Sequence, residues 1–172
     1  MRVERTFAFV DLCGFTHFTS THGDQRAVDV LTRFRAAVRG IGSSHAVRVA
    51  KWLGDGAMFV STTREALVEA VLDLAERADE VGVRLSLRAG LAGGPVILFE
   101  GDDYIGGPVN LAARVCDAAR PRELLAAADL ADAVPPWAAA VAVGPRDISG
   151  FPVAVEIVRI EPAVAVPVAS GG

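Results

Sequence analysis

Apolar and polar positions along the first quarter of the chain predict a buried strand followed by an amphipathic helix. The run RTFAFVDL is rich in Phe and Val, which predicts a strand over about residues 5–11. From residue 27 to residue 41, apolar positions recur at three- and four-residue spacing, as they do on one face of a helix. We expect Asp24 to cap this helix and Gly40 and Gly42 to end it.

The next segment predicts a hairpin and a second helix. Two short apolar runs flank Gly54-Asp55-Gly56, and a Gly-Asp-Gly sequence between two strand patterns is a hairpin signal. Thr62 and Glu65 have the spacing of a capping box, and the apolar positions that follow predict a helix closed by Gly82.

The second half of the chain completes a recognisable order of elements. VRLSLRAGLA and PVILFE predict two strands, PVNLAARVCDAA a short helix, LLAAADLADAV a further helical segment, and AAVAVGP and FPVAVEIVRI the closing strands. The order β-α-β-β-α-β predicts an α+β fold with a ferredoxin-like βαββαβ core, helices on one face of an antiparallel sheet, and additional C-terminal strands. We expect one domain over residues 1–161 and a disordered tail over residues 162–172, which are rich in Pro, Ala and Gly.

Composition narrows the class of protein. With 172 residues and 52% hydrophobic content, the chain can form a single ordered domain. The net charge of -4 argues against non-specific binding to nucleic acid or to an anionic membrane, and the apolar runs are too short to span a bilayer. Cys13 and Cys116 form no CxxC pair, so we expect a reduced, cytoplasmic protein.

Two acidic residues are candidates for metal binding. Asp11 ends the first strand and Asp55 lies in the predicted hairpin turn, and in a ferredoxin-like sheet these strand ends are neighbours. Mg²⁺ and similar hard cations bind carboxylate oxygens and take their remaining ligands from phosphate and water. The turn CGFT after Asp11 offers backbone N–H groups, and a helix N-terminus, to phosphate oxygens. Each acid taken alone also fits ordinary turn or capping chemistry.

Four further polar residues could serve a phosphorylated substrate. Lys51 interrupts an apolar strand, and Asp103 precedes the sequence YIGG. Asn110 and Arg114 are four residues apart and therefore lie on one face of the short helix, where they suit a site of growing negative charge. An edge-strand lysine and a surface ion pair are the ordinary alternatives for Lys51 and Arg114.

The motifs taken together resemble the catalytic domain of class III nucleotidyl cyclases of the adenylate cyclase type. FAFVDLCGFT, KWLGDG, RAGLAGGPV and DYIGGPVNLAAR occur in that order, and the resemblance runs from about Arg5 to Ile160. It implies that residues 1–161 are a cyclase catalytic domain. It also implies two metal ions per site, Mg²⁺ or Mn²⁺, held by Asp11, Asp55 and the backbone carbonyl of Leu12.

The resemblance implies roles for the other candidates as well. The turn residues Gly14, Phe15 and Thr16 would wrap the β- and γ-phosphates, and Arg88 would contact the terminal phosphates. The base, the ribose and the transition state would be served by Lys51, Asp103, Asn110 and Arg114. Lysine only donates hydrogen bonds and suits adenine N1, whereas an aspartate accepts from the N6 amine, so the pair predicts ATP.

The function that the resemblance implies is conversion of ATP to 3′,5′-cyclic AMP and pyrophosphate at sites shared across a head-to-tail homodimer. Asp11 and Asp55 would come from one subunit, and its partner would supply Lys51, Asp103, Asn110 and Arg114. The alternative is a non-catalytic cyclase-like module that binds nucleotide or only dimerises, and GTP as substrate is a third possibility. The chain departs from the family pattern at Ser149, where many such domains carry a lysine, and this departure favours the non-catalytic alternative. Arg146 is near in sequence and could supply the missing positive charge.

Overall fold

The computed structural model describes residues 1–80 and 85–164. Gly82, predicted to close the second helix, and residues 165–172 of the predicted tail lie outside the described residues. The elements in chain order are β1 (Arg2–Leu12), α1 (Phe15–His22), α2 (Asp24–His45), β2 (Arg48–Leu53), β3 (Gly56–Ser61), α3 (Arg64–Glu80), β4 (Leu87–Phe99), β5 (Asp103–Ile105), α4 (Gly107–Ala118), β6 (Leu124–Ala127), a 3₁₀ helix (Ala128–Ala133), β7 (Ala138–Arg146) and β8 (Val155–Pro162).

The strands form one sheet with β1 near its centre. Seven strands follow the order β2-β3-β1-β4-β6-β8-β7, and β5 pairs with β4. β1 is antiparallel to both β3 and β4, whereas β6 is parallel to β4. The predicted α+β class, with a βαββαβ core and added C-terminal strands, is confirmed. This topology places the end of β1 directly beside the turn between β2 and β3.

The helices cover both faces of the sheet rather than one. Alternate residues of β1 belong to different clusters: Ala8 and Val10 pack with α2 and α3, whereas Phe7 packs with Ala112 of α4. The prediction of helices on a single face is therefore wrong for α4. The physical reason is that β1 and β4 are apolar on both sides, and a strand buried on both faces needs cover on each.

Helix boundaries differ from the sequence prediction in three places. The turn after β1 leads into α1, which the apolar pattern did not predict. Asp24 is the first residue of α2, and Gly23 takes the capping position without a side-chain hydrogen bond. α2 continues through Gly40 and Gly42, where a Cβ on Gly42 would lie 2.9 Å from the carbonyl oxygen of Val47. The close approach of the Val47 carbonyl therefore requires a residue without a Cβ at this position of α2.

The remaining differences concern α3 and the strands. α3 begins at Arg64, so the residue before the helix is not the predicted cap, Thr62. The two strands predicted around Gly93 are one strand, β4, because β4 pairs with β1 from Leu87 to Ile97. The segment LLAAADLADAV, predicted as helix, divides into β6 and the 3₁₀ helix, and β6 is fully buried beside β4.

The C-terminal strands agree with the prediction more closely. β7 lies where AAVAVGP was expected, whereas β8 begins at Val155, four residues after the start of the predicted strand. Pro162, the first residue of the predicted tail, is the last residue of β8. Within the described ranges, no helix has a stretch that is both long and apolar enough to cross a membrane.

Candidate active site

Asp11 and Asp55 converge at one end of the sheet. Asp11 lies opposite Gly56 in the pairing of β1 with β3, and the N–H of Leu12 donates to the carbonyl oxygen of Asp55 at 3.2 Å. Both side chains line one cavity at this end of the sheet, and the charge of Asp55 is near enough to raise the pKa of Asp11. A Cβ on Gly56 would lie 2.6 Å from the Val10 carbonyl oxygen, so only glycine allows the turn to approach β1 this closely.

The environment of Asp11 disfavours its negative charge. Burial raises the pKa of Asp11, hydrogen bonds from Arg88 lower it, and the neighbouring charge of Asp55 raises it again, so that the pKa is above its ordinary value. Two close carboxylates at a partly buried position repel each other, and a cation bound between them would relieve that repulsion. The pair therefore has the electrostatic character of a cation site.

Arg88 lies on Asp11 rather than in open solvent. Its Nε and Nη2 atoms donate to Oδ2 of Asp11 at 3.2 and 3.0 Å. Its Nη1 atom donates to the carbonyl oxygens of Asp117 and Ala119 at 3.1 and 3.3 Å. Arg88 thus connects Asp11 to the C-terminal end of α4, a link that its position in the sequence did not indicate.

The turn after β1 borders a cavity beside the two acids. Gly14 has a φ of 74°, in the left-handed region, and α1 begins at the next residue, Phe15. The first N–H groups of α1 have no partner within the helix and suit an anion. The cavity has a volume of about 380 Å³ and is lined by Asp11, Leu12, Cys13, Gly14, Phe15, Thr16, Asp55, Arg88, Ala119 and Pro121.

The donor set at this end of the sheet fits a hard divalent cation that shares its ligands with a substrate. Among the described residues, no three His, Cys, Asp or Glu side chains are grouped as a metal site. Asp11 and Asp55 supply carboxylate oxygens, and Leu12 lines the same cavity. Mg²⁺ and Mn²⁺ accept such oxygen ligands and complete their coordination with phosphate and water. The residues present therefore fit the implied metal only together with a phosphorylated ligand.

Lys51 and Asp103 are brought together although they are far apart in sequence. Lys51 Nζ lies 2.6 Å from Asp103 Oδ1, and about half of each side chain is exposed, 49% and 52%. The pair offers a donor next to an acceptor at the surface, which is the pattern needed to read two neighbouring atoms on the edge of a base.

Asn110 and Arg114 lie exposed on α4. Arg114 Nη1 is 3.7 Å from a carboxylate oxygen of Asp117, a neighbour on the same helix. In the part of the chain that the structure describes, the cavity beside Asp11 is lined by neither of these residues, nor by Lys51 or Asp103. A single chain therefore places the two acids beside the glycine turn, and it places Lys51 beside Asp103. These two groups of residues do not line one common cavity.

The C-terminal departure from the expected pattern lies in the turn between β7 and β8. Ser149 is exposed there and follows the buried Ile148. Arg146, the last residue of β7, donates to the adjacent Pro145 carbonyl oxygen at 3.5 Å. Within residues 1–80 and 85–164, this hydrogen bond does not link Arg146 to the other candidate residues.

Sequence reasoning missed Arg48. This arginine is at the start of β2, and it contacts Asp102 and Tyr104 on either side of Asp103. Nothing in its local sequence distinguished it from an ordinary surface arginine. The only available signal was its position three residues before Lys51.

The buried thiol of Cys116 gives a first testable prediction. Burial raises the pKa of Cys116 to about 12, so the reactive thiolate is scarce at neutral pH. We expect iodoacetamide at pH 8 to leave Cys116 unmodified in the native chain and to modify it after denaturation, as measured by peptide mass spectrometry. The half-buried Cys13 serves as the internal control. Rapid labelling of native Cys116 would contradict the packing of α4 against β4.

Curated proteins with similar sequences include an adenylate cyclase. An uncharacterized protein of Mycobacterium tuberculosis is 43% identical over 143 residues, which cover 83% of this chain and 37% of that protein. A pH-sensitive adenylate cyclase of Mycobacterium tuberculosis is 33% identical over 129 residues, covering 75% of this chain and 32% of the relative. The chain thus spans about a third of the length of these curated relatives. No protein-family model matches it.

Solved structures show the same architecture over nearly the whole chain. The adenylyl cyclase CyaB from P. aeruginosa superposes with a TM-score of 0.85 at 22% identity, covering 96% of this chain and 97% of that one. The guanylate cyclase domain of RhGC from Catenaria anguillulae, in complex with GTP, superposes with a TM-score of 0.83 at 17% identity, covering 94% and 98%. The resemblance seen in the sequence motifs is therefore confirmed, and the chain has the fold of a class III nucleotidyl cyclase catalytic domain.

Proposed function

We propose that this chain is an adenylate cyclase domain that converts ATP to 3′,5′-cyclic AMP and pyrophosphate. The observation that carries the proposal is the convergence of Asp11 and Asp55 beside a cavity that is bordered by a left-handed glycine turn and a helix N-terminus. Such a site combines a place for cations with N–H groups for phosphate oxygens. The related pH-sensitive adenylate cyclase supports the same activity.

The Lys51–Asp103 pair supports ATP as the substrate. Lys51 donates to adenine N1, and Asp103 accepts from the N6 amine, while the two side chains keep their contact of 2.6 Å. Guanine presents a donor at N1 and an acceptor at O6, which opposes the pair in this order. Guanylyl cyclases share the fold, so the preference is carried by these side chains and not by the architecture.

The chain's own residues would position the reacting groups. The N–H groups of residues 14–16 bind the β- and γ-phosphates, Asn110 orients the ribose, and Arg114 stabilises the charge that grows on the α-phosphate. The 3′-oxygen forms a bond to the α-phosphorus, the bond from that phosphorus to the bridging oxygen breaks, pyrophosphate leaves, and the hydroxyl proton passes to solvent. When bound, two divalent cations would lower the pKa of the 3′-hydroxyl and hold the triphosphate.

We propose that two chains share each site in a head-to-tail homodimer. The cavity at Asp11 and Asp55 is separate in the described chain from Lys51, Asp103 and Arg114. A two-fold arrangement lets the acids of one subunit face the base-reading and transition-state residues of its partner, and it generates two equivalent sites. We assign this domain to residues 1–161, with ATP in the cytoplasm as its substrate.

The direct test is an assay of the purified chain with Mn²⁺ and either ATP or GTP. We expect cyclic AMP from ATP, little cyclic GMP from GTP, and no product when Asp11 is replaced by alanine. Asp29 is exposed on α2 and does not line the cavity beside Asp11, so Asp29→Ala is the matched control and should retain activity. Binding of ATP without any turnover would instead support the non-catalytic module, which the loss of the expected lysine at Ser149 favours.

A further inference from the structure

We propose that Arg48 is a positioning residue that sets the preference for adenine over guanine, an inference that rests on the proposed function. Arg48 is the first residue of β2, three residues before Lys51. Its Nη1 atom donates to Oδ1 of Asp102 at 3.0 Å, and its Nη2 atom donates to the hydroxyl of Tyr104, also at 3.0 Å. These two partners flank Asp103 in the sequence, so Arg48 holds the segment on both sides of the residue that reads the base.

The sheet itself does not hold Asp103 near Lys51. β3, β1 and β4 separate β2 from β5 in the strand order. β5 is three residues long, and among the described strands it pairs with the far end of β4, where Leu98 lies opposite Tyr104. The distance between the two base-reading side chains is therefore set by side-chain contacts between β2 and the β5 segment, and Arg48 makes two of them.

A bulge in β2 directs Arg48 and Lys51 to the same segment. Residues three apart in a regular strand point to opposite faces. The register of β2 against β3 shifts between Val49 and Lys51, which adds one residue to β2 and restores a common face. This local irregularity explains how one arginine and one lysine of the same strand both reach β5.

Tyr104 connects this arrangement to the core. Its ring packs edge-on against Phe7, with the ring centroids 5.3 Å apart, and Phe7 is fully buried in β1. The guanidinium carbon of Arg48 lies 5.6 Å from the centre of the Tyr104 ring. Arg48 thus contacts Tyr104, whose ring packs against the core, as well as the exposed carboxylate of Asp102. The exposed ion pair with Asp102 alone would contribute little to holding the segment in place.

The order of Lys51 and Asp103 along the edge of the base is what discriminates the two purines. Adenine presents an acceptor at N1 and a donor at position 6, whereas guanine presents a donor at N1 and an acceptor at position 6. Because Lys51 donates and Asp103 accepts, the same two side chains could bind guanine only if they exchanged places, with Asp103 accepting from N1–H and Lys51 donating to O6. By fixing Asp103, Arg48 excludes that second arrangement, which is how specificity arises against a competing ligand.

The experiment measures binding of 3′-deoxy-ATP and 3′-deoxy-GTP with Mn²⁺ by titration calorimetry, since these nucleotides lack the attacking hydroxyl and cannot be turned over. For Arg48→Met we expect the ratio of the two dissociation constants to fall about tenfold toward equal binding. Tyr104→Phe, which removes only the hydroxyl acceptor, should shift the ratio in the same direction by a smaller factor.

Arg64→Met is the matched control. Arg64 is as exposed as Arg48, 40% against 42%, and its Nη1 atom lies 3.1 Å from a carboxylate oxygen of Asp132. It also donates to a backbone carbonyl at 2.8 Å, so the two arginines have similar surroundings. Because Arg64 is on α3, away from β5, we expect its replacement to leave the selectivity ratio unchanged.

The selectivity ratio tests the assignment of Arg48 separately from the proposed function. An unchanged ratio in Arg48→Met, including equal weakening of both nucleotides, overturns the assignment of Arg48, because a merely structural role weakens both ligands alike. If thermal melting shows that Arg48→Met does not fold, the ratio in Tyr104→Phe decides in its place. A wild-type chain that binds neither nucleotide, or both equally, overturns the proposed function, and the role of Arg48 with it.

Discussion

Mixing chains that carry Asp55→Ala with chains that carry Arg114→Ala is expected to restore cyclic AMP formation that neither variant supports alone. Asp55 lies with Asp11 beside the cavity, whereas Arg114 is exposed on α4 and does not line it. If each site takes its acids from one subunit and its arginine from the other, a mixed dimer keeps one complete site. Random pairing of equal amounts makes half of the dimers mixed, so about a quarter of wild-type activity should return.

The separate variants should be nearly inactive. Loss of an arginine that stabilises a phosphoryl-transfer transition state costs about 10³-fold in rate, and we expect Arg114→Ala to lose that much. Disturbing metal binding at Asp55 should cost at least about 100-fold. The control is a mixture of Asp11→Ala with Asp55→Ala, which damages the same half of both sites and should remain inactive. Recovery in this control, or its absence in the test mixture, would argue against shared sites.

Replacing Gly90 by alanine is expected to destabilise the domain by about 3 kcal/mol or more, since overpacking of this severity exceeds the usual range. A Cβ at this position of β4 would lie 2.0 Å from the backbone nitrogen of Cys116 and 2.4 Å from the carbonyl oxygen of Ala112. Both are backbone atoms of α4, so the whole helix must move away. Urea denaturation with a linear extrapolation measures the change in unfolding free energy.

Gly93→Ala on the same strand is the matched control for Gly90→Ala. An added Cβ at Gly93 would lie 3.2 Å from the side-chain oxygen of Thr6, which needs only a small adjustment. We expect its effect to be below about 1 kcal/mol. Equal destabilisation by the two substitutions would show that the contact between β4 and α4 is looser than the structure indicates. Because α4 carries Asn110 and Arg114, Gly90→Ala should also lower activity in whatever fraction remains folded.

The elements that were predicted correctly are those whose signals are local. β1 contains the apolar run of residues 7–10, the hairpin is marked by Gly-Asp-Gly, and α4 has apolar positions at helical spacing. Propensity and periodicity act within a few residues, so a short window contains the information. The convergence of Asp11 with Asp55 was predicted from the hairpin signal and the order of elements, because a βαββαβ core places the hairpin turn beside the end of the first strand.

The elements that were predicted wrongly are those that a distant neighbour decides. β4 remains one strand through Gly93 and Gly94, where the sequence predicted a break, because β1 pairs with it along eleven residue pairs. The segment 124–127 is Leu- and Ala-rich, which favours helix locally, yet it is a strand because β4 and β8 supply its hydrogen-bond partners. In α2, the glycines were interpreted as an end, but burial of the apolar face of this helix in the main core overrides their low helix propensity.

For this protein, the sequence by itself determined the class of fold, the order of its core elements and the chemical types of the candidate site residues, since these depend on local pattern and motif spacing. Only the tertiary structure decided that α4 covers the opposite face, that Arg88 lies on Asp11, and that Arg48 brackets Asp103 through Asp102 and Tyr104. The physical reason is the same in each case. Such contacts join residues more than fifty positions apart, and their geometry exists only after the sheet has brought the strands and helices together.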